Sequence, residues 1–394
     1  MLPKYYEFQN STKILSGQKA LENIAYELEG LEAARPMVLS DKVLEKIGAL
    51  QKVLDAMLSQ GCRPAAVFTD IPADSSVEVG NEITKLYKQN NCDSLVAIGG
   101  GSVMDTAKGT AIMIAHDVDD LLKLQGCESM TRGKHVPFIT VPTTSGTGSE
   151  MTMVAVIKNE KKAVKMEFIS NHMLPDVAVL DPRMTQTLPP RITASTGFDA
   201  LCHAMEAYSC TQKNPLSDAY ATAAITMVRE YLVKAVTNGK DQEARLAMAN
   251  ASTMAGAAFS NSMVGAVHGI GHALGGVCHV PHGDAMTILL PHVMRYNLGK
   301  LDEVYGELLL YLAGPEIYAA TAREERGKEA IRTVRRLQKK LNRICGLPMR
   351  LRDAGVNPED FETVAVTALR DGAMLANPVA VDKEDVIRIL KKAY

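Results

Sequence analysis

The chain has 394 residues, 46% of them hydrophobic and 22% charged, which suffices for a sizeable core and for two or three domains. Forty-three Lys and Arg against 45 Asp and Glu leave a formal charge of −2, and aromatics reach only 5% with no Trp, so neither bulk positive charge nor a base-stacking surface is available for nucleic acid. Seven scattered cysteines (Cys62, Cys92, Cys127, Cys202, Cys210, Cys278 and Cys345) form no C-x-x-C pair, and the N-terminus lacks signal-peptide features, which together favour a cytoplasmic enzyme with reduced thiols.

In chain order, the first half alternates strand and helix patterns. Met37–Ser40 reads as a buried strand, followed by one helix with Val43, Leu44, Ile47, Leu50, Val53, Leu54, Met57 and Leu58 on one face and Gly61 as its stop. Further strands are expected at Ala65–Phe68, Ser94–Ile98, Val136–Val141, Thr152–Ile157 and Val177–Leu180, with helices at Val77–Tyr87 and Val103–Ala115. Such alternation implies a mostly parallel sheet covered on both faces, with ligands at the carboxyl ends of its strands. Beyond Leu188, Pro189 and Pro190 the patterns are helical almost to the end. The expected architecture is an α/β domain over residues 1–187 and an all-helical domain over 188–394. The basic run Arg323–Arg352 is read as a solvated helix face, because charge is balanced along the chain.

From Leu246 to Gly283 there are 38 residues without Asp, Glu, Lys or Arg. Asn, Ser and Thr stud this stretch, and it holds four of the nine His, which suits buried helices around a polar site better than a membrane span.

Four groups of residues carry chemistry. Gly99, Gly100, Gly101 and Ser102 sit between a strand and a helix, where backbone N–H groups and a helix N-terminus can receive a phosphate. The loop Pro142–Glu150 adds hydroxyls and glycines at another strand end, suited to a pyrophosphate or ribose. Asp41 follows the first strand, where a carboxylate can accept from a ribose 2′-hydroxyl or cap the next helix together with Ser40. It precedes the glycines, unlike the acid of a Rossmann fingerprint, which implies another dinucleotide topology. The fourth group is a set of metal-ligand types. Asp199 and His203 are four residues apart on one helix face, His268 and His272 repeat that spacing, and His282 follows Pro281. Neutral imidazoles and one carboxylate suit a divalent ion such as iron(II) or zinc. Gly269 stands where an H-E-x-x-H metalloprotease has its glutamate, which counts against hydrolysis. His116, His135, His172 and His292 are read as ordinary packing or surface residues.

Gly99–Lys108, Pro142–Glu150, Gly197–Tyr208 and His268–Gly283, in this order, closely resemble the iron-containing (group III) alcohol dehydrogenases, in register from about residue 5 to past 380. The resemblance implies an N-terminal dinucleotide-binding domain, a C-terminal helical domain of the dehydroquinate synthase-like fold, and an active site in the cleft between them. It implies metal ligation by Asp199, His203, His268 and His282, with His272 a non-ligand histidine in a proton relay. It implies NAD contacts from Gly99, Gly100, Gly101, Ser102, Asp105, Thr143, Thr144, Thr147 and Lys165, and it makes Asp41 the acid that favours NAD over NADP. A small alcohol or aldehyde as substrate, iron(II) or zinc as the ion, and a homodimer or larger homo-oligomer follow from the same likeness, with neither nucleic acid nor membrane as a partner. Glu206, beyond His203, is expected to support or pack rather than to catalyse. Two departures stand out: Pro72–Ser75 reads PADS where many members have Pro-Asn-Pro-Thr near the adenosine, and Met286 stands where many have Asn. The rival reading is an NAD- and zinc-dependent lyase of the dehydroquinate synthase type.

Overall fold

The computed structural model describes residues 3–125, 130–160 and 164–394. Its first unit spans Gln9–Thr187, and its second joins the N-terminal segment up to Phe8 with Leu188–Tyr394. Phe8 stacks on Tyr220 of the second unit, with ring centroids 5.7 Å apart.

The first unit contains strands β1 (Lys13–Ser16), β2 (Pro36–Leu39), β3 (Ala66–Phe68), β4 (Ser94–Gly99), β5 (Phe138–Pro142), β6 (Val154–Asn159), β7 (Val164–Ile169) and β8 (Val177–Leu180). Between them lie helices α1 (Ile24–Gly30), α2 (Lys42–Lys46), α3 (Ala49–Ser59), α4 (Val77–Gln89) and α5 (Gly101–Ala115). Six strands form one parallel sheet in the order β1-β8-β5-β4-β2-β3. Alternate residues of each strand face opposite sides, as strand geometry requires. Val96 and Ile98 of β4 join Val38, Val141 and Val179 against Ile24, Leu28, Val53 and Met57. Leu95 and Ala97 join Met37, Leu39 and Phe138 against Ile83, Val103 and Ala107. With both faces covered, the central strands read as continuous apolar runs. The strand order reverses between β2, whose successor β3 lies outward, and β4, whose successors lie the other way. That reversal opens a crevice at the carboxyl ends of β2 and β4.

Three local expectations change. The helix expected after Asp41 is two helices, broken at Gly48, whose φ of 75° is a left-handed conformation that ends α2 and restarts the chain as α3. The strand expected at Thr152–Ile157 is not in the parallel sheet: β6 pairs antiparallel with β7 as a separate two-stranded ribbon. The sheet gains instead the edge strand β1, whose short Lys13–Ser16 run is half exposed and shows little apolar pattern.

The second unit contains α6 (Pro190–Ser209), α7 (Pro215–Thr237), α8 (Gln242–Ser260), α9 (Ala266–Cys278), α10 (His282–Ala313), α11 (Pro315–Ala320), α12 (Arg326–Cys345), α13 (Phe361–Ala368), α14 (Ala373–Ala376) and α15 (Lys383–Ala393). Their apolar stripes share one core, centred on residues such as Phe198, Leu201, Ile225, Ile270, Ile288 and Leu309. The charge-free stretch is not one helix: it breaks at residues 261–265, where Met263 takes a φ of 80°. Among the described residues no helix is long and apolar enough to cross a membrane. Within the basic run, Arg332 and Arg336 of α12 pair with Glu325 and Glu329 on the exposed face. The six described cysteines are free thiols, and Cys127 lies outside the described residues.

Candidate active site

In the α/β unit, the two loops expected to hold a dinucleotide touch each other at the sheet's carboxyl edge. Gly100 is the N-cap of α5 and carries no side-chain cap, so the first amides of that helix are open to an acceptor. Gly99 and Gly101 are there because space is lacking. A Cβ on Gly99 would lie 2.4 Å from Val103 Cβ and one on Gly101 would lie 3.1 Å from Thr147 Cγ2, whereas one on Gly100 would make only ordinary contact with Thr144. Thr143 N–H donates to Gly99 O at 3.0 Å, which ties the second loop to the first. At the neighbouring strand end Asp41 caps α2, accepting from Leu44 N–H at 2.9 Å. Ser40 does not share in that cap: its hydroxyl donates to Ile98 O and binds the end of β2 to β4.

The remaining expected cofactor residues have partners within the unit. The Ser102 hydroxyl donates to Ala73 O, and Ser75 donates to Ser102 O, so the PADS stretch packs on the first turn of α5. Lys165 pairs with Asp74 at 2.9 Å, which places the altered stretch against the expected cofactor lysine. Asp105 spends both oxygens internally, Oδ1 accepting from Ser149 and Oδ2 from Val156 N–H. Behind it, Lys108 is fully buried and donates to Ser149, Thr152 and Val154 O. Burial pulls the Lys108 ammonium down to about 8 against the pull of Asp105 and Glu150. Lys108 thus braces the hydroxyl loop from within the core, a role its place in the sequence does not announce.

In the helical unit, α6 presents Asp199 and His203 one turn apart, α9 presents His268, and α10 opens on His282. Four ligand atoms, one from each of these residues, lie within 4.8 Å of one another. Asp199 Oδ1 is 3.7 Å from His203 Nδ1, 3.7 Å from His268 Nε2 and 3.4 Å from His282 Nε2. Donors about 2.1 Å from a tetrahedral ion stand about 3.4 Å apart, so the spacing is that of a ligand shell. Asp199 Oδ1 and His268 Nε2 are buried and make no hydrogen bond, which a native interior rarely tolerates. Burial by itself would raise the Asp199 carboxyl, yet the surrounding imidazoles hold it well below the usual carboxylate range. Burial likewise disfavours the His268 cation, but the carboxylates of Glu206 and Asp199 outweigh it and lift the group to about 9. The cluster is built to hold positive charge. The residues fit a divalent ion by donor type, spacing and unsatisfied atoms.

Residues 11–182 match the model of iron-containing alcohol dehydrogenases, and residues 193–394 match the C-terminal model of the same family. The chain belongs to the iron-containing alcohol dehydrogenase family. It is 36% identical over 380 residues to alcohol dehydrogenase 4 of Saccharomyces cerevisiae, covering 96% of each chain. It is 36% identical over 384 residues to an NAD-dependent methanol dehydrogenase of Bacillus methanolicus, covering 96% of this chain and 97% of the other. A crystal structure of a 1,3-propanediol oxidoreductase superposes with a TM-score of 0.94 at 33% identity, covering 99% of this chain and all of the other. These relationships place the protein among alcohol dehydrogenases and not among lyases of the dehydroquinate synthase type.

Within this family member, several site residues escape sequence reasoning. Asp371 accepts from His272 Nδ1 at 2.8 Å and from Ala373 N–H at 2.9 Å, although it sits in an unremarkable Arg-Asp-Gly turn. Asn377 accepts from Ala266 N–H at the start of α9. Phe259 lies flat against His203, centroids 4.3 Å apart. Met286, one of the two departures, is fully buried, and its Cε fills the space above Gly271. It shapes the core between α9 and α10. Gly269 has a packing reason of its own: a Cβ there would lie 2.5 Å from Met374 Sδ, so any side chain at this position would have to displace that methionine.

Proposed function

We propose that the chain is a metal-dependent, NAD(H)-linked dehydrogenase of small uncharged alcohols that also reduces the corresponding aldehydes. Iron(II) is the proposed ion, and the same donors accept zinc. The observation that carries the reading is the convergence of Asp199, His203, His268 and His282 with two buried donor atoms left without hydrogen bonds. When bound, the ion supplies a Lewis acid for the alcohol oxygen and the nicotinamide supplies a hydride acceptor. Asp199 contributes the negative charge that makes a cation stable in a buried pocket, and the three imidazoles add neutral donors. The open amides at the start of α5 and the Thr143–Thr147 hydroxyls receive the pyrophosphate. Asp41 accepts from the adenosine ribose with the oxygen not used in its cap. His272 exchanges the hydroxyl proton at Nε2, since its Nδ1 is held by Asp371. Lys165, paired with Asp74, is the proposed cofactor lysine. A homodimer or larger homo-oligomer and a cytoplasmic location belong to the same proposal and rest on the family resemblance.

The test is NAD-linked oxidation of methanol, ethanol, butanol and 1,3-propanediol, and reduction of the matching aldehydes, by protein reconstituted with iron(II) or zinc. Net NADH formation from at least one alcohol is expected. His268→Ala should lose bound metal together with more than about 99% of turnover, a loss of about 2.7 kcal/mol or more in barrier lowering. Retention of both metal and wild-type turnover by His268→Ala would falsify the ligand assignment.

A further inference from the structure

We propose that Glu206 is a positioning residue of the metal centre: its carboxylate fixes the tautomer and orientation of His268, and the N-terminus of α9 holds that carboxylate in place. The inference rests on the ligand assignment above. Asp199, His203 and Glu206 follow one another along α6 on one helical stripe, as their i, i+4, i+7 spacing requires. The first two supply donors to the ion. Glu206 instead reaches across to α9 with both oxygens. Oε2 bonds His268 Nδ1, and Oε1 accepts from Val267 N–H at 2.8 Å.

The geometry gives each atom one role. A carboxylate has no proton to donate, so the proton in its bond with His268 sits on Nδ1. In the neutral ring that metal ligation requires, this leaves Nε2 as the lone-pair nitrogen, and Nε2 is the atom 3.7 Å from Asp199 Oδ1 with no hydrogen bond of its own. A histidine with the opposite tautomer would point an N–H at the ion and could not ligate it. The second carboxylate oxygen serves α9 itself. Gly265, the N-cap, offers no side chain, and the first free amides of the helix are taken by Glu206 Oε1 and by Asn377 Oδ1. Gly265 is small for this reason: a Cβ there would lie 3.0 Å from Glu206 Oε1 and 3.1 Å from Asn377 Oδ1. Asn377 is fixed in turn by a reciprocal pair of hydrogen bonds with Asn297, at 3.0 and 3.1 Å. Glu206 therefore joins the backbone at the start of α9 to the ring one residue further on, and His268 has no independent freedom to swing or to switch tautomer.

Glu206→Gln keeps the volume and one acceptor oxygen. With that oxygen on Val267 N–H, its NH2 faces His268 Nδ1 and favours the wrong tautomer; with the amide turned round, the cap of α9 is lost. Cobalt(II) affinity, measured by competition with a chelator, should fall about 10- to 100-fold in Glu206→Gln. The visible absorption bands of the cobalt form should shift, while the melting temperature of the metal-free protein stays close to wild type. Cobalt affinity within twofold of wild type overturns the inference. Selectively 15N-labelled histidine in the zinc-loaded wild-type protein gives a reading independent of any variant: a proton on His268 Nδ1 supports the inference, and a His268 Nδ1 without one refutes it. His268→Ala separates the two levels. If that variant binds cobalt as wild type does, the ligand assignment fails; if it loses cobalt while Glu206→Gln does not, only the positioning role fails.

Discussion

At the scale of single residues, Asp41 caps a helix and is proposed to meet the cofactor ribose as well. One oxygen caps α2. Removing such a cap altogether costs about 1 kcal/mol, whereas Asn caps about as well as Asp. Asp41→Asn therefore separates the two roles. Its melting temperature should match wild type, while the ratio of kcat/KM for NADP to that for NAD rises by about tenfold or more, because the charge repelling a 2′-phosphate is gone. An unchanged ratio would remove Asp41 from the cofactor reading. The spacing of Asp199 with His203, and of His268 with His272, is legible in the sequence because helix geometry makes residues four apart neighbours. The partners of those rings are not. Glu206 is 62 residues from His268, Asp371 is 99 from His272, and Asn377 is 111 from Ala266. No local period links them.

At the scale of elements, glycines decide how closely the helices bearing the proposed metal ligands approach. Gly283, one residue after His282, lies against backbone: an added Cβ would sit 2.7 Å from Ser195 O and 2.8 Å from Ser195 C on α6. Gly271 on α9 lies against a side-chain end, 1.9 Å from Met286 Cε. Alanine gains about 1 kcal/mol of helix propensity over glycine in either place. A methionine end can turn aside, but a helix backbone can only move as a whole. Gly283→Ala should thus destabilise by about 1–3 kcal/mol in urea unfolding and weaken metal binding by shifting His282, whereas Gly271→Ala should cost less. Equal stability of the two variants would contradict this account. The same kind of contact explains why the fold was only partly legible at this scale. Strands β2, β4, β5 and β8 are buried on both faces and announce themselves by composition, while β1 is a half-exposed edge and β6 follows a ribbon pairing that its apolar run does not encode. Gly48 could be read as a breaker, but the apolar periodicity continues across it and masks the break.

At the scale of the whole molecule, stability against acid depends on groups kept neutral inside the helical unit. His292 on α10 is held at about 4, first by burial and then by the nearby cations Arg335 and Lys392. Its ordinary value is about 6.5, so the unfolded chain takes up a proton that the folded protein refuses. The associated stability is fully present above about pH 6.5 and is lost as pH falls toward 4, by up to about 3 kcal/mol. In urea unfolding followed against pH, His292→Gln should show a shallower decline across that window than wild type; parallel curves would refute the assignment.

The sequence by itself determined the parallel α/β framework, the change to helices after Leu188, the two glycine and hydroxyl loops at strand ends, and the pool of donor types Asp199, His203, His268, His272 and His282, from which the family resemblance selects all but His272. Each of these is written in local patterns: apolar runs, helical spacing, a turn between strand and helix. Only the tertiary structure decided that the ligand atoms converge, that Lys108 braces the hydroxyl loop from inside, that Gly269 and Gly271 are filled by methionines, and that Glu206 and Asp371 hold the two histidines of α9. Hydrogen bonds and close contacts are made at distances of about 3–4 Å between atoms, and the packing of helices far apart along the chain sets those distances.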